Sequence, residues 1–152
     1  MGLLNHTTKI APEQTISEIQ MMLSRHGVTA MMTEYDGPHV SAVSFQIKLD
    51  GKPIGFKLPC NWKAVVEIMR PKHPRNVYDA KKKAAQEEAL KQQAIRTAWR
   101  IIHTWVKAQL ALVEVNMVTV PQVFLPYMKV SQDQTLYEKI ITDPKFLLSD
   151  GS

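Results

Sequence analysis

From Ala80 to Val115 the chain contains neither Gly nor Pro. Ala, Lys, Gln, Glu and Leu, all good helix formers, are frequent there. The stretch predicts one unbroken helix of about 50 Å, at ~1.5 Å per residue. In a chain of 152 residues such a rod dictates how everything else can pack. Asp79 precedes it, where a carboxylate can accept from the unbonded amides of the first turn. The helix changes character midway. Its first half is polar. In its second half Ile95, Trp99, Ile102, Val106, Leu110 and Val113 form one apolar stripe. Ala94, Ala98, Ile101, Trp105, Ala108, Leu112 and Val115 form another beside it. A helix this apolar is buried on several sides, by a sheet, by C-terminal segments or by a second subunit.

The segments before the rod follow other periods. Thr15-Ile16-Ser17-Glu18 has capping-box spacing, and Ile16, Ile19 and Leu23 share one helical face, so a helix is expected over 15–26. Gly27 suits its left-handed end. Three strands are expected next. Residues 28–35 form the first, and Asp36-Gly37-Pro38 turns the chain. Residues 40–49 alternate, with Val43, Phe45, Ile47 and Leu49 on one face and Ser44, Gln46 and Lys48 on the other. Asp50-Gly51 is a two-residue hairpin signal. Residues 52–58 return with Ile54, Phe56 and Leu58 inward, and Pro53 marks an edge strand. Asn61 caps a short helix from Trp62 to Met69 that Pro71 ends. Beyond the rod, Thr119-Val120-Pro121-Gln122 and Thr135-Leu136-Tyr137-Glu138 each have capping-box spacing. The expectation is an α+β fold: an N-terminal helix, a three-stranded antiparallel sheet, the long helix, and C-terminal helical segments packed on one face. Residues 1–152 are read as a single domain, with a basic linker at about 70–78 and a frayed tail at about 143–152.

Several function classes are excluded by what is missing. No apolar run approaches the ~18–20 residues that span a bilayer. The start, MGLLNHTTK, lacks the form of a signal peptide. A single cysteine, Cys60, excludes a disulfide framework and points to a reduced, cytoplasmic setting. The five histidines show no metal-binding spacing, and there is no phosphate-cradling glycine loop or nucleophile elbow. Asp50-Gly51-Lys52 has the bare spacing of a nuclease acid-x-Lys, but a hairpin turn explains it better. No catalytic residue, metal site or cofactor is expected, and the chain is read as a non-enzyme.

Charge is the positive signal. Residues 48–107 hold 14 Lys and Arg against 5 acids, a local +9, inside a chain of net +5. The densest part is MRPKHPRNVYDAKKK at 69–83. Along the long helix Lys82, Gln86, Gln93, Arg96, Arg100, His103 and Lys107 recur at offsets near 3.6, and none is acidic. A row of cations on one face suits phosphates. The candidate nucleic-acid-binding set is therefore Lys81, Lys82, Lys83, Arg96, Arg100 and Lys107, with Arg70, Lys72 and Arg75 as an arm and Tyr78 placed to stack on a base.

Two stretches carry a family resemblance. One is TTKIAPEQTISEIQMMLSRHGVTAMMTEYDG with SFQIKLDGKPIGFKLP; the other is AWRIIHTWVKAQLALVEVNMVTVPQVFLPYM. Together they resemble small proteins of unassigned function from bacterial phages and prophages. The helix–three-strand–helix order, with AKKKAAQEEAL opening a helix, is also similar to the double-stranded-RNA-binding domain. There Lys81, Lys82 and Lys83 would grip phosphates, although residues 59–78 intervene between strand and Lys run. The phage resemblance implies a bacterial host cell. It implies an accessory protein that binds DNA or RNA, as in replication or recombination. The alternative is an anti-defence protein whose basic face meets an acidic host protein, inhibiting a nuclease such as a CRISPR effector. The apolar half of the long helix could also join subunits of a homo-oligomer.

Overall fold

The long helix of the computed structural model runs from Ala80 to Glu114 without interruption. The structure describes residues 2–72, 79–143 and 145. In chain order the elements are α1 (Pro12–Ser24), β1 (Val28–Asp36), β2 (His39–Leu49), β3 (Lys52–Pro59), α2 (Trp62–Met69) and α3 (Ala80–Glu114). They continue with α4 (Val120–Phe124), a 3-10 turn (Leu125–Tyr127), β4 (Lys129–Ser131), β5 (Gln134–Thr135) and α5 (Leu136–Thr142). The fold is α+β, and no described helix is long and apolar enough to cross a membrane.

The chain clusters into two compact units. One comprises Met1–Gln20 and Cys60–Lys107, the other Met21–Pro59 and Ala108–Ser152. In the first unit Ile16, Ile19, Cys60, Trp62, Ala94, Ile95, Ala98, Trp99 and Val106 are buried, as are the hydroxyls of Thr15 and Thr97. Trp99 is the largest of the fully buried side chains. In the first apolar stripe of α3, Ile95, Trp99, Val106 and Leu110 are core, and Ile102 and Val113 are half-buried. The second is only partly covered, since Leu112 and Val115 are exposed.

In the second unit β1, β2 and β3 form an antiparallel sheet in that order. Leu49 pairs with Lys52, so Asp50-Gly51 is a two-residue hairpin, and both residues have positive φ (52° and 77°). That backbone matches the twist of the flanking strands. Val43, Phe45, Ile47, Phe56 and Leu58 are buried. Phe45 stacks on Phe56 with ring centroids 5.1 Å apart and meets Phe124 edge-on at 5.6 Å. β3 is an edge strand as Pro53 predicts, though an isolated bridge links Phe56 to Met128.

Four end signals work as the residues dictate. Asn61 accepts from the Ala64 amide, and Asp79 from the Lys81 amide at 2.9 Å. Thr119 with Gln122, and Thr135 with Glu138, close reciprocal capping boxes. The Thr135 amide and hydroxyl hold the Glu138 carboxyl below its usual range.

Three expectations need correction. α1 begins at Pro12, with the Thr15 amide bonded to the Ala11 carbonyl, so Thr15 and Glu18 are not its capping box. Pro12 tolerates the first turn because its missing amide has no helical partner there. The polar face of β2 is not open, since Ser44 is buried, whereas Leu49 of the apolar face is exposed. The small hairpin of β4 and β5 is additional. Its strands are too short to show a period. The tail beyond Asp143 lies almost wholly outside the described residues.

Candidate nucleic-acid interface

The polar face of α3 divides into two parts with different partners. From Gln93 to His103 it is not a wet face, because the N-terminal segment lies on it. The Gln93 amide donates to the carbonyls of His6 and Thr8 at 3.0 and 2.9 Å. The Thr97 hydroxyl donates to the Asn5 carbonyl at 3.2 Å. Arg96 donates to the Gln93 side chain, and its Nε is buried without a partner among the described residues. Arg100 Nη1 donates to Glu18 Oε2 at 2.6 Å, and its side chain is only 18% exposed. His103 Nε2 lies 3.4 Å from the same oxygen. Arg96 and Arg100 therefore serve internal contacts first. The expected continuous basic stripe is broken between Lys82 and Lys107, because residues distant in sequence supply Glu18 and the capping carbonyls.

The first turns of α3 differ. Every residue from Ala80 to Ala89 is exposed. Lys81, Lys82 and Lys83 make no ion pair with any described residue, and no acid occupies the first turn. Cations there oppose the positive end of the helix dipole, at a cost of about 0.3–1 kcal/mol each. The Asp79 carboxylate at this end is taken up by the Lys81 backbone amide, and the acids further along α3 have other side-chain partners. Glu87 accepts from Arg70, which also bonds Glu67, and Glu88 accepts from Gln92 at 2.8 Å. Arg70 thus braces the end of α2 against α3.

Successive helical residues project about 100° apart. Lys81 and Lys83 consequently point about 100° to either side of Lys82. Ala85, Gln86 and Ala89 lie within about 60° of Lys82, whereas Glu87 and Glu88 lie about 140° and about 120° from it, just behind Lys83 and Lys81. The result is a face of Lys82, two small side chains and one amide, flanked on both sides by the ammonium groups of Lys81 and Lys83.

Of the remaining candidates, Lys72 and Lys107 are exposed and make no ion pair among the described residues. Arg75 and Tyr78 lie outside the described residues. Two further cations went unmarked in the sequence. Lys63 and Lys91 place their ammonium groups 5.6 and 5.5 Å from the Trp62 ring centre. Their positions, in the first turn of α2 and about two turns beyond the Lys run, gave no periodic signal. Lys57 lies 3.3 Å from Glu34, so it is an ion-pair partner within the sheet.

Burial shifts two groups in ways that make stability depend on pH. Burial pushes the Cys60 thiol up to about 12, outweighing a backbone hydrogen bond at Trp62. Burial also lowers His103, helped by the charge of Arg100 and opposed by Glu18. The unfolded chain thus loses the thiol proton first as pH rises past about 9, so stability falls there. It gains the imidazole proton first as pH falls below about 6.5, so stability falls there too. Chemical melts across this range should show a plateau between the two limits. Cys60 should react with iodoacetamide at pH 8 only under unfolding conditions; fast labelling of the native chain would contradict its burial.

Among the described residues no three His, Cys, Asp or Glu side chains converge as a metal site would require. No family model, curated protein or solved structure matches the chain.

Proposed function

We propose that this protein is a non-enzymatic nucleic-acid-binding accessory protein of a phage or mobile element, and that the first three turns of α3 carry the contact. The observation that supports this reading most is the exposed trio Lys81, Lys82 and Lys83, splayed about the helix with ammonium groups that pair with no carboxylate among the described residues. Lys72, Lys63 and Lys91 add positive charge on neighbouring turns. An anion at this end would offset both the mutual repulsion of the lysines and their conflict with the helix dipole.

The splay favours B-form duplex DNA. An α-helix about 10–12 Å across enters the ~12 Å major groove, with phosphates on both walls. Lys81 and Lys83 would each meet one wall, and the long Lys82 side chain would reach a third phosphate past the helix end. Ala85 and Ala89 permit close approach to the floor, and the Gln86 amide matches an adenine edge. The deep, narrow major groove of A-form RNA does not admit a helix. A single strand offers only one row of phosphates.

Fluorescence anisotropy with duplex DNA, duplex RNA and single-stranded DNA of equal length tests both levels. Duplex DNA should bind tightest, with a log–log salt slope of about −3 or steeper. Equal affinity for duplex RNA or single strands would sink the groove geometry. No affinity for any would sink nucleic-acid binding. A protein partner retained from host lysate after nuclease digestion, with no duplex affinity, would reassign the same charge to an anti-defence contact.

A further inference from the structure

The outer face of the β-sheet carries an open groove that the basic helix does not explain. Its volume is about 250 Å³, and Ala30, Met32, Ser44, Gln46, Gly55 and Lys129 line it, with Met31 and Phe45. Pairing of Ala30 with Gln46, Met32 with Ser44 and Gln46 with Gly55 places these β-residues on one face. That face is opposite the Val43, Phe45 and Ile47 core. The depression exists because the middle of the face carries Ala, Ser and Gly, flanked by longer side chains. The aliphatic stem of Lys129 crosses directly over Gly55, where an added Cβ would lie 3.4 Å from its Cδ.

The polar groups around it are unspent. Ser44 is 6% exposed, and its Oγ is buried with no hydrogen-bond partner among the described residues. A buried hydroxyl left so is costly unless something bonds it. The Gln46 amide and the Lys129 ammonium likewise make no hydrogen bond or ion pair with a described side chain. Lys129 is the charged residue of this lining, and it makes no ion pair with a carboxylate among the described residues. Met32 and Ala30 supply an apolar wall beside these three groups.

We propose that this groove is a binding site for a small amphipathic carboxylate, its head bonded by Ser44, Gln46 and Lys129 and its chain laid along Ala30 and Met32. The space equals about eight waters at ~30 Å³ each, which suits a ligand of about ten heavy atoms. The mixture of apolar wall and few convergent polar groups is that of a small-molecule site. It is independent of nucleic-acid binding, since none of its residues lies on α3.

Octanoate and octan-1-ol, of nearly equal size, are the probes. Titration of each into the labelled full chain, followed by amide NMR shifts, reads site and affinity together. Octanoate should give saturable shifts confined to β1, β2, Gly55 and Lys129, with affinity about tenfold above that of octanol. Lys129→Met should bring the two probes level. Ala30→Trp, at an exposed position, should fill the groove and remove both; Met32→Trp, also exposed, serves if the first variant does not fold. Non-saturating or scattered shifts, equal affinity for the two probes, or binding that survives a folded Trp variant would overturn the proposal.

Discussion

Replacing Lys81, Lys82 and Lys83 together by Gln should flatten the salt dependence of duplex binding and leave the protein slightly more stable. Each phosphate contact adds about 0.9 to the log–log salt slope, so three contacts account for about 2.7. With that slope, raising salt from about 50 to about 200 mM weakens the wild-type chain roughly fortyfold, and the variant hardly at all. Affinity at low salt falls with it. Gln keeps helix propensity close to that of Lys, and all three positions are exposed, so folding is not at stake. Removing three cations from the positive end of α3 relieves a conflict worth about 1–2 kcal/mol in total at low ionic strength. Lower affinity with a higher melting temperature is a signature that general damage cannot produce. A variant with unchanged affinity and slope would place the contact elsewhere. Arg100→Gln provides the contrast. It unpairs Glu18 and weakens a contact inside the first unit, so stability falls while the salt slope stays near that of wild type.

Trp99→Ala should be the most damaging single substitution in α3. The side chain is fully buried among the apolar residues of its unit, and aromatic-to-Ala changes in such places cost about 3–5 kcal/mol. A domain of this size has about 5–15 kcal/mol to lose. At about 2–4 °C per kcal/mol the melting point drops on the order of 10 °C. Trp99→Phe should cost less. It retains much of the ring and removes an indole N–H that has no partner among the described residues. Thermal melts of the two variants read the difference directly. A Trp99→Ala chain that melts within about 1 °C of wild type would contradict the core position of this stripe.

Elements whose signals close within a few residues are legible in the sequence alone. The Asn61 and Asp79 caps, the boxes at Thr119 and Thr135, and the Asp50-Gly51 hairpin each join groups at most four positions apart. Local geometry then leaves few alternatives. The inward row Val43, Phe45 and Ile47 was equally plain, because a strand must bury one side. Thr15 and Glu18 mimicked a cap, since spacing is blind to a helix that starts a turn earlier.

The candidate surface was only partly legible for the same reason. Charge and helical period place Lys81, Lys82, Lys83, Arg96, Arg100 and Lys107 on α3. They cannot say which of these cations another segment already neutralises. Glu18 reaches Arg100, and the His6 and Thr8 carbonyls reach Gln93, across more than eighty residues of chain. The groove on the sheet likewise needs Lys129 to cross Gly55. Short-range chemistry thus settled most of the elements, though not the start of α1 or the β4–β5 hairpin, and the total charge of this protein. Which charges remain free, and which polar groups are buried unsatisfied, followed from long-range packing. Coulomb pairing and desolvation depend on distance in space, and sequence separation does not report it.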